Sequence, residues 1–180
     1  MYGMVNKAVQ DMVVKDHGEA AWLEIKRQAG VTQEIFIGTE GYPDEITYKL
    51  VEAASAVLHT PADQILRAFG EHWVMETAQK GYGHLMSAAG SNLAEFIGDQ
   101  PRFHDRVAMI YPNLLPPRFE VTDRTAHSIR LHYISHRAGL TPFVEGLMSG
   151  LGKMFHIVVR VTLEHSRRDG GNKDVFLLEW

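Results

Sequence analysis

The sequence predicts a single α+β domain over residues 1–180, with helices gathered first, a four-stranded antiparallel sheet last, and helices packed on the sheet. Three observations carry this reading. Apolar residues recur at helical spacing from residue 5 to residue 111; alternating stretches near 119–137 and 154–180 each fold back at a turn; one helical stripe separates those two stretches. With 180 residues, 45% of them hydrophobic and 22% charged, the chain can bury a sizeable core.

From the N-terminus, Val5, Ala8, Val9, Met12 and Val13 make an amphipathic helix that Gly18 stops, and a second helix, 20–29, carries Trp22, Leu23 and Ile25 to Gly30. Turn residues fill 39–43, after which Asp44 opens a helix through Ile46, Leu50, Val51 and Ala54 to Leu58. Thr60 reads as an N-cap, with Pro61 at the first helical position and Asp63 in the first turn. The long helix behind it carries Ile65, Leu66, Phe69, Trp73, Val74 and Ala78 and ends at Gly81 and Gly83. Short helices at 84–89 and 93–97 lead to Asp99, and 101–111 form a helix striped by His104, Val107, Ala108 and Tyr111. That helix stops at Pro112, and Pro116-Pro117 then extends the chain. Strand 119–122 turns at 123–126 into strand 128–137. Thr141-Pro142 repeats the cap-and-proline start, for a helix striped by Phe143, Val144, Leu147 and Leu151. Segment 154–164 reads as a strand with Phe155, Ile157, Val159, Val161 and Leu163 on one face, and residues 169–172 turn it into the return strand 175–180.

Composition excludes several functions. A net charge of −4 and scattered Lys and Arg give no basic stripe for nucleic acid. No apolar run reaches the roughly 18 residues of a membrane span, and no signal-peptide pattern opens the chain, so the cytoplasm is the default. With no cysteine, disulfides, thiolate zinc sites and iron–sulfur clusters are ruled out, and any metal falls to His or carboxylate.

Segment 128–137, SIRLHYISHR, points to a ligand. On a strand Ile129, Leu131, Tyr133, Ser135 and Arg137 share one face, which runs from apolar to polar and ends in a phenol, a hydroxyl and a guanidinium. Such a row suits a molecule greasy at one end and anionic at the other; it also suits an ordinary sheet edge. His104 on its apolar stripe reads equally as a hydrogen-bonded core residue. His132 and His136 share the other strand face without a third ligand at metal-site spacing.

Taken together, an inward His before a Pro-Pro turn, Tyr133-Ile134-Ser135-His136-Arg137 and the Phe143-Val144-Glu145-Gly146-Leu147 helix start resemble the haem nitric oxide/oxygen-binding (H-NOX) family, whose module is also the haem domain of soluble guanylate cyclase. The likeness spans nearly the whole chain. It implies haem b buried between helices and sheet, His104 as axial ligand to the iron, Tyr133, Ser135 and Arg137 on the propionates, and Pro117 packed on the porphyrin. It also implies a distal pocket of Val5, Trp73, Phe143 and Leu147. Phe143 stands where oxygen-binding members carry a tyrosine hydroxyl, which favours nitric oxide, with carbon monoxide as a further ligand. Trp73 stands where those members place a polar partner, and reads either as an indole donor or as packing. By the same likeness, nitric oxide weakens the iron–histidine bond and lets the His104 helix move, signalling to a separate partner such as a histidine kinase or diguanylate cyclase. The chain itself is not expected to be an enzyme. Alternatives are an oxygen-binding or redox haem protein of this fold, for which His72 and His84 are distal acid–base candidates, and a haem-free relative binding another small ligand.

Overall fold

A computed structural model describes residues 1–111 and 114–180. Helix α1 (Gly3–His17) buries Ala8, Val9, Met12 and Val13, as its three-to-four spacing requires, against α2 (Glu19–Ala29) and α3 (Asp44–Val57). Gly30, at φ 64, closes α2 in the left-handed conformation that only glycine adopts cheaply.

Helix α4 (Ala62–His72) runs without a break into a π-helical turn (Trp73–Ala78) and α5 (Gln79–Ala89). The expected end at Gly81 and Gly83 is instead a kink: Tyr82, between them, has φ −136 and ψ 19, and the helix resumes. Thr60 does not cap α4. Pro61 occupies the N-cap, and the Thr60 hydroxyl donates to the Leu58 carbonyl at 3.1 Å.

Helix α6 (Leu93–Gly98) is capped by Asn92, and α7 (Gln100–Ile110) comes next in the chain. Helix α7 ends at Ile110; Pro112, the expected stop, lies outside the described residues. Helix α8 (Thr141–Met154) crosses α4 at backbone contact. A Cβ on Gly70 would lie 2.2 Å from the Phe143 carbonyl oxygen, and one on Gly146 would lie 2.1 Å from that of Arg67. Two glycines thus let the helices approach closely enough to set Phe143 beside Phe69 and Trp73. The Thr141-Pro142 signal is again not a cap, because Thr141 is already helical and its hydroxyl donates to buried Asp174 at 2.7 Å.

Strands β1 (Arg118–Thr122), β2 (Ser128–Ile134), β3 (Arg160–His165) and β4 (Asp174–Glu179) form one antiparallel sheet in the order β1-β2-β4-β3. Along β2, Ile129, Leu131 and Tyr133 are buried and alternate with Arg130, His132 and Ile134 on the outer face. Two strand readings need correction. β2 stops at Ile134 because its neighbours begin there, Arg118 opposite Ile134 and Asp174 opposite Tyr133, so residues 135–137 leave the ladder. β3 begins only at Arg160: α8 reaches Met154, His156 turns with φ 57, and residues 157–159 have no strand partner. Phe155, Ile157 and Val159 still pack inward while Val158 is 91% exposed, so the alternation reported a buried face and not a ladder.

Candidate haem site

A mostly apolar cavity of about 590 Å³ opens between the first helices, α4–α8 and the sheet. Its size falls within the ~300–1,000 Å³ usual for small-molecule sites. His104, Pro117, Tyr133, Ser135, Arg137, Val5, Trp73, Phe143 and Leu147 all line it, so the fold brings these nine residues to one chamber.

The imidazole of His104 projects from α7 and packs 5.9 Å, centroid to centroid, from the rings of Phe103 and Phe119. Burial lowers its pKa, against the raising effects of Asp105 and of a hydrogen bond to the Pro117 backbone. Proline has no N–H, so in that bond the imidazole donates and the Pro117 carbonyl accepts. A neutral ring with one nitrogen committed as donor keeps a lone pair on the other, the state a metal ligand requires.

At the far end, buried Tyr133 is the last inward residue of β2, and burial raises its pKa, partly offset by a hydrogen bond with Ser135. The Ser135 hydroxyl accepts from the Arg137 backbone N–H at 3.1 Å. Arg137 donates Nε to Asp44 Oδ2 at 2.7 Å and Nη1 to the Leu115 carbonyl at 3.0 Å. Asp44 also pairs with the chain's amino terminus; burial works to raise its pKa, but these two cations hold it below the usual carboxylate value. Arg167 adds a second guanidinium, donating to the backbone carbonyls of Ser135 and Arg137. Neither Asp44 nor Arg167 is legible as a site residue in the sequence: the first reads as a helix opener, and the second falls between the strand stretch 154–164 and the turn 169–172.

Another part of the wall is aromatic. Phe69, Trp73 and Phe143 enclose one another with centroid separations of 5.1–6.5 Å, and Trp73 meets both rings edge-on. Trp73 thus packs edge-to-face against both phenyl rings. The wall also contains hydroxyls that no sequence pattern marks, but they are committed: Thr47 donates to Asn6 Oδ1 at 2.6 Å, Tyr82 to the Tyr111 hydroxyl at 2.8 Å, and Tyr48 to the Ala138 carbonyl at 3.0 Å. Neither His72 nor His84 lines the cavity. On the outer sheet face His132 bonds the Thr122 hydroxyl at 2.8 Å and His136 is exposed; no group of three metal-ligating residues occurs among the described residues.

The family model described as Haem-NO-binding matches residues 2–163. The chain belongs to the H-NOX family. Its backbone superposes on the crystal structure of an H-NOX protein from S. oneidensis in the Fe(II)NO ligation state with a TM-score of 0.89, at 19% identity, over 99% of this chain and 98% of that one. The Fe(II) unliganded H-NOX protein from K. algicida gives 0.86 at 24% identity, over 99% and 96%. At that identity these likenesses establish the fold. Among curated proteins, the soluble guanylate cyclases gcy-33 and gcy-34 of Caenorhabditis elegans are 26% and 27% identical over 87% and 86% of this chain. The chain spans only 16% and 23% of their lengths. This H-NOX domain is thus a haem-binding sensor module related to soluble guanylate cyclase, and no described helix is long and apolar enough to cross a membrane. Its residues fit the group: one imidazole whose pKa burial lowers, an apolar slot of the right order of size, and a local cluster of phenol, hydroxyl and guanidinium for two carboxylates.

Proposed function

We propose that this H-NOX domain binds haem b and senses nitric oxide, with His104 as the axial ligand, Tyr133, Ser135 and Arg137 on the propionates and Pro117 against the porphyrin. The observation that carries this is the His104 imidazole, half-buried, its pKa lowered by burial, and hydrogen-bonded to the Pro117 carbonyl at the cavity wall. Haem would supply a ferrous iron able to take a diatomic gas. Everything else falls to the chain. Val5, Trp73, Phe143 and Leu147 would exclude water from a bound gas and offer it no hydroxyl; nitric oxide and carbon monoxide need none, whereas oxygen gains from a donor. Tyr133, Ser135 and Arg137 orient the plate, each charge-assisted bond being worth about 1.5–3 kcal/mol. Because His104 sits on α7 and Pro117 just ahead of β1, any change in the hold on His104 shifts α7 relative to the sheet. A two-state element of that kind lets a gas bias a downstream partner. That partner is a separate cytoplasmic protein of the histidine kinase or diguanylate cyclase kind, and the domain itself performs no reaction.

The direct test removes the ligand and returns it. His104→Gly should lose tightly bound haem and recover it when imidazole is added to the buffer, followed by absorption of the reduced protein. Unchanged haem retention and spectrum in His104→Gly without imidazole would overturn the assignment.

A further inference from the structure

Residues 135–137 lie beyond the last ladder pair of β2, yet two of the three polar side chains of the cradle hang from them. A carboxylate site needs donors held within a fraction of an ångström, and a strand end without ladder bonds does not supply that. The fixing comes from across the sheet. Arg167, on the short turn Arg167–Asp169 between β3 and β4, donates Nη1 to the Ser135 carbonyl at 2.7 Å and Nη2 to the Arg137 carbonyl, and its guanidinium carbon sits 5.8 Å from the Tyr133 ring centroid. One planar fork therefore touches the backbone or ring of all three cradle residues. The fork is itself anchored: the Arg167 backbone N–H donates to Asp174 Oδ1 at 2.8 Å, and Asp174, fully buried opposite Tyr133, accepts from Thr141 through its other oxygen.

We infer that Arg167 is the positioning residue of the cradle, fixing residues 133–137 in the geometry that grips two carboxylates, with Asp174 tying that grip to the first turn of α8. The guanidinium suits this because its donors diverge at a fixed angle and reach two carbonyls at once; an ammonium is a point charge and cannot hold their spacing. Asp174 bonds at once to the arm that sets the cradle and to the start of the helix that carries Phe143 and Leu147, so both ends of the cavity share one buried carboxylate.

This inference rests on the haem reading, and its test separates the two. The full chain, Arg167→Gln, Arg167→Lys and, as a control, Arg130→Gln on the outer sheet face are loaded with haemin and, separately, with its dimethyl ester, which lacks the carboxylates. Release to a porphyrin-scavenging apoprotein is timed, and far-ultraviolet circular dichroism confirms the fold. Arg167→Gln should release haemin roughly tenfold faster, the loss of about one good hydrogen bond, and leave release of the ester unchanged. Arg167→Lys should recover only part of the difference, and Arg130→Gln should match the parent. If Arg167→Gln fails to fold, Arg167→Lys decides on the same ratio. Unchanged haemin release, or equal acceleration for both porphyrins, would overturn the positioning role while leaving haem binding intact. A parent chain that takes up neither porphyrin would overturn both.

Discussion

A phenyl ring and a phenol at position 143 differ by one oxygen atom, and on a wall whose Thr47, Tyr48 and Tyr82 hydroxyls are committed elsewhere that atom would add an uncommitted hydroxyl. Phe143→Tyr should raise oxygen affinity about five- to thirtyfold, the effect of one added hydrogen bond of ~1–2 kcal/mol, read from the oxygen titration of the ferrous protein. No gain would mean that side chain 143 points away from the guest. Asp44 gives a prediction in pH. Its folded pKa lies below that of an ordinary aspartate, so its contribution is full above the ordinary value and fades as pH falls through the lower folded one. Asp44→Asn should therefore cost about 1–3 kcal/mol at pH 7, and urea melts of variant and parent should converge as pH drops below the ordinary carboxylate range. His104 and the Tyr133, Ser135, Arg137 set are legible in the sequence because imidazole on an apolar stripe and phenol–hydroxyl–guanidinium on one strand face are patterns of local period. Asp44, Arg167 and Thr47 are not, because each acts on a partner 30 to 93 residues away, where no period exists to betray it.

Helices α4 and α8 show the same division one level up. Both are visible as stripes, but a stripe says nothing of how near two backbones come, and here Gly70 and Gly146 set that distance. Gly146→Ala forces a methyl group into the Arg67 carbonyl and should destabilise by more than about 2 kcal/mol, measured by urea unfolding with the m-value unchanged. An alanine tolerated there would contradict the close crossing. The π-helical turn Trp73–Ala78 is hidden for a related reason: one wide turn in a helix of 3.6-residue period shifts the face of the next segment without disturbing the composition. Thr60 and Thr141 mislead as caps because a hydroxyl before or beside proline has more than one use, and a tertiary partner claims Thr141. The first half of segment 154–164 misleads because alternation needs only one buried face, whereas β4 offers six residues to pair with.

The molecule as a whole has two main apolar cores, one among α1–α4 and one between α5, α6, α8 and the sheet, with the cavity walled by residues of both. Filling that cavity joins them, so ligand binding and stability are linked. Haemin at a hundred times its dissociation constant should stabilise the apoprotein by about 2.7 kcal/mol, seen as a raised thermal midpoint; no shift would mean that the cavity does not take it. The α+β order is legible because helical and strand periods occupy separate stretches of chain, while the cavity is not, since it arises only where the two cores fail to meet. The most direct test of a haem pocket that offers a bound gas no hydroxyl and senses nitric oxide is the absorption spectrum of the reduced, haemin-loaded protein, recorded in air and then under nitric oxide. The expected result is an unliganded ferrous spectrum in air that changes on adding nitric oxide. A stable oxygenated spectrum in air would contradict it.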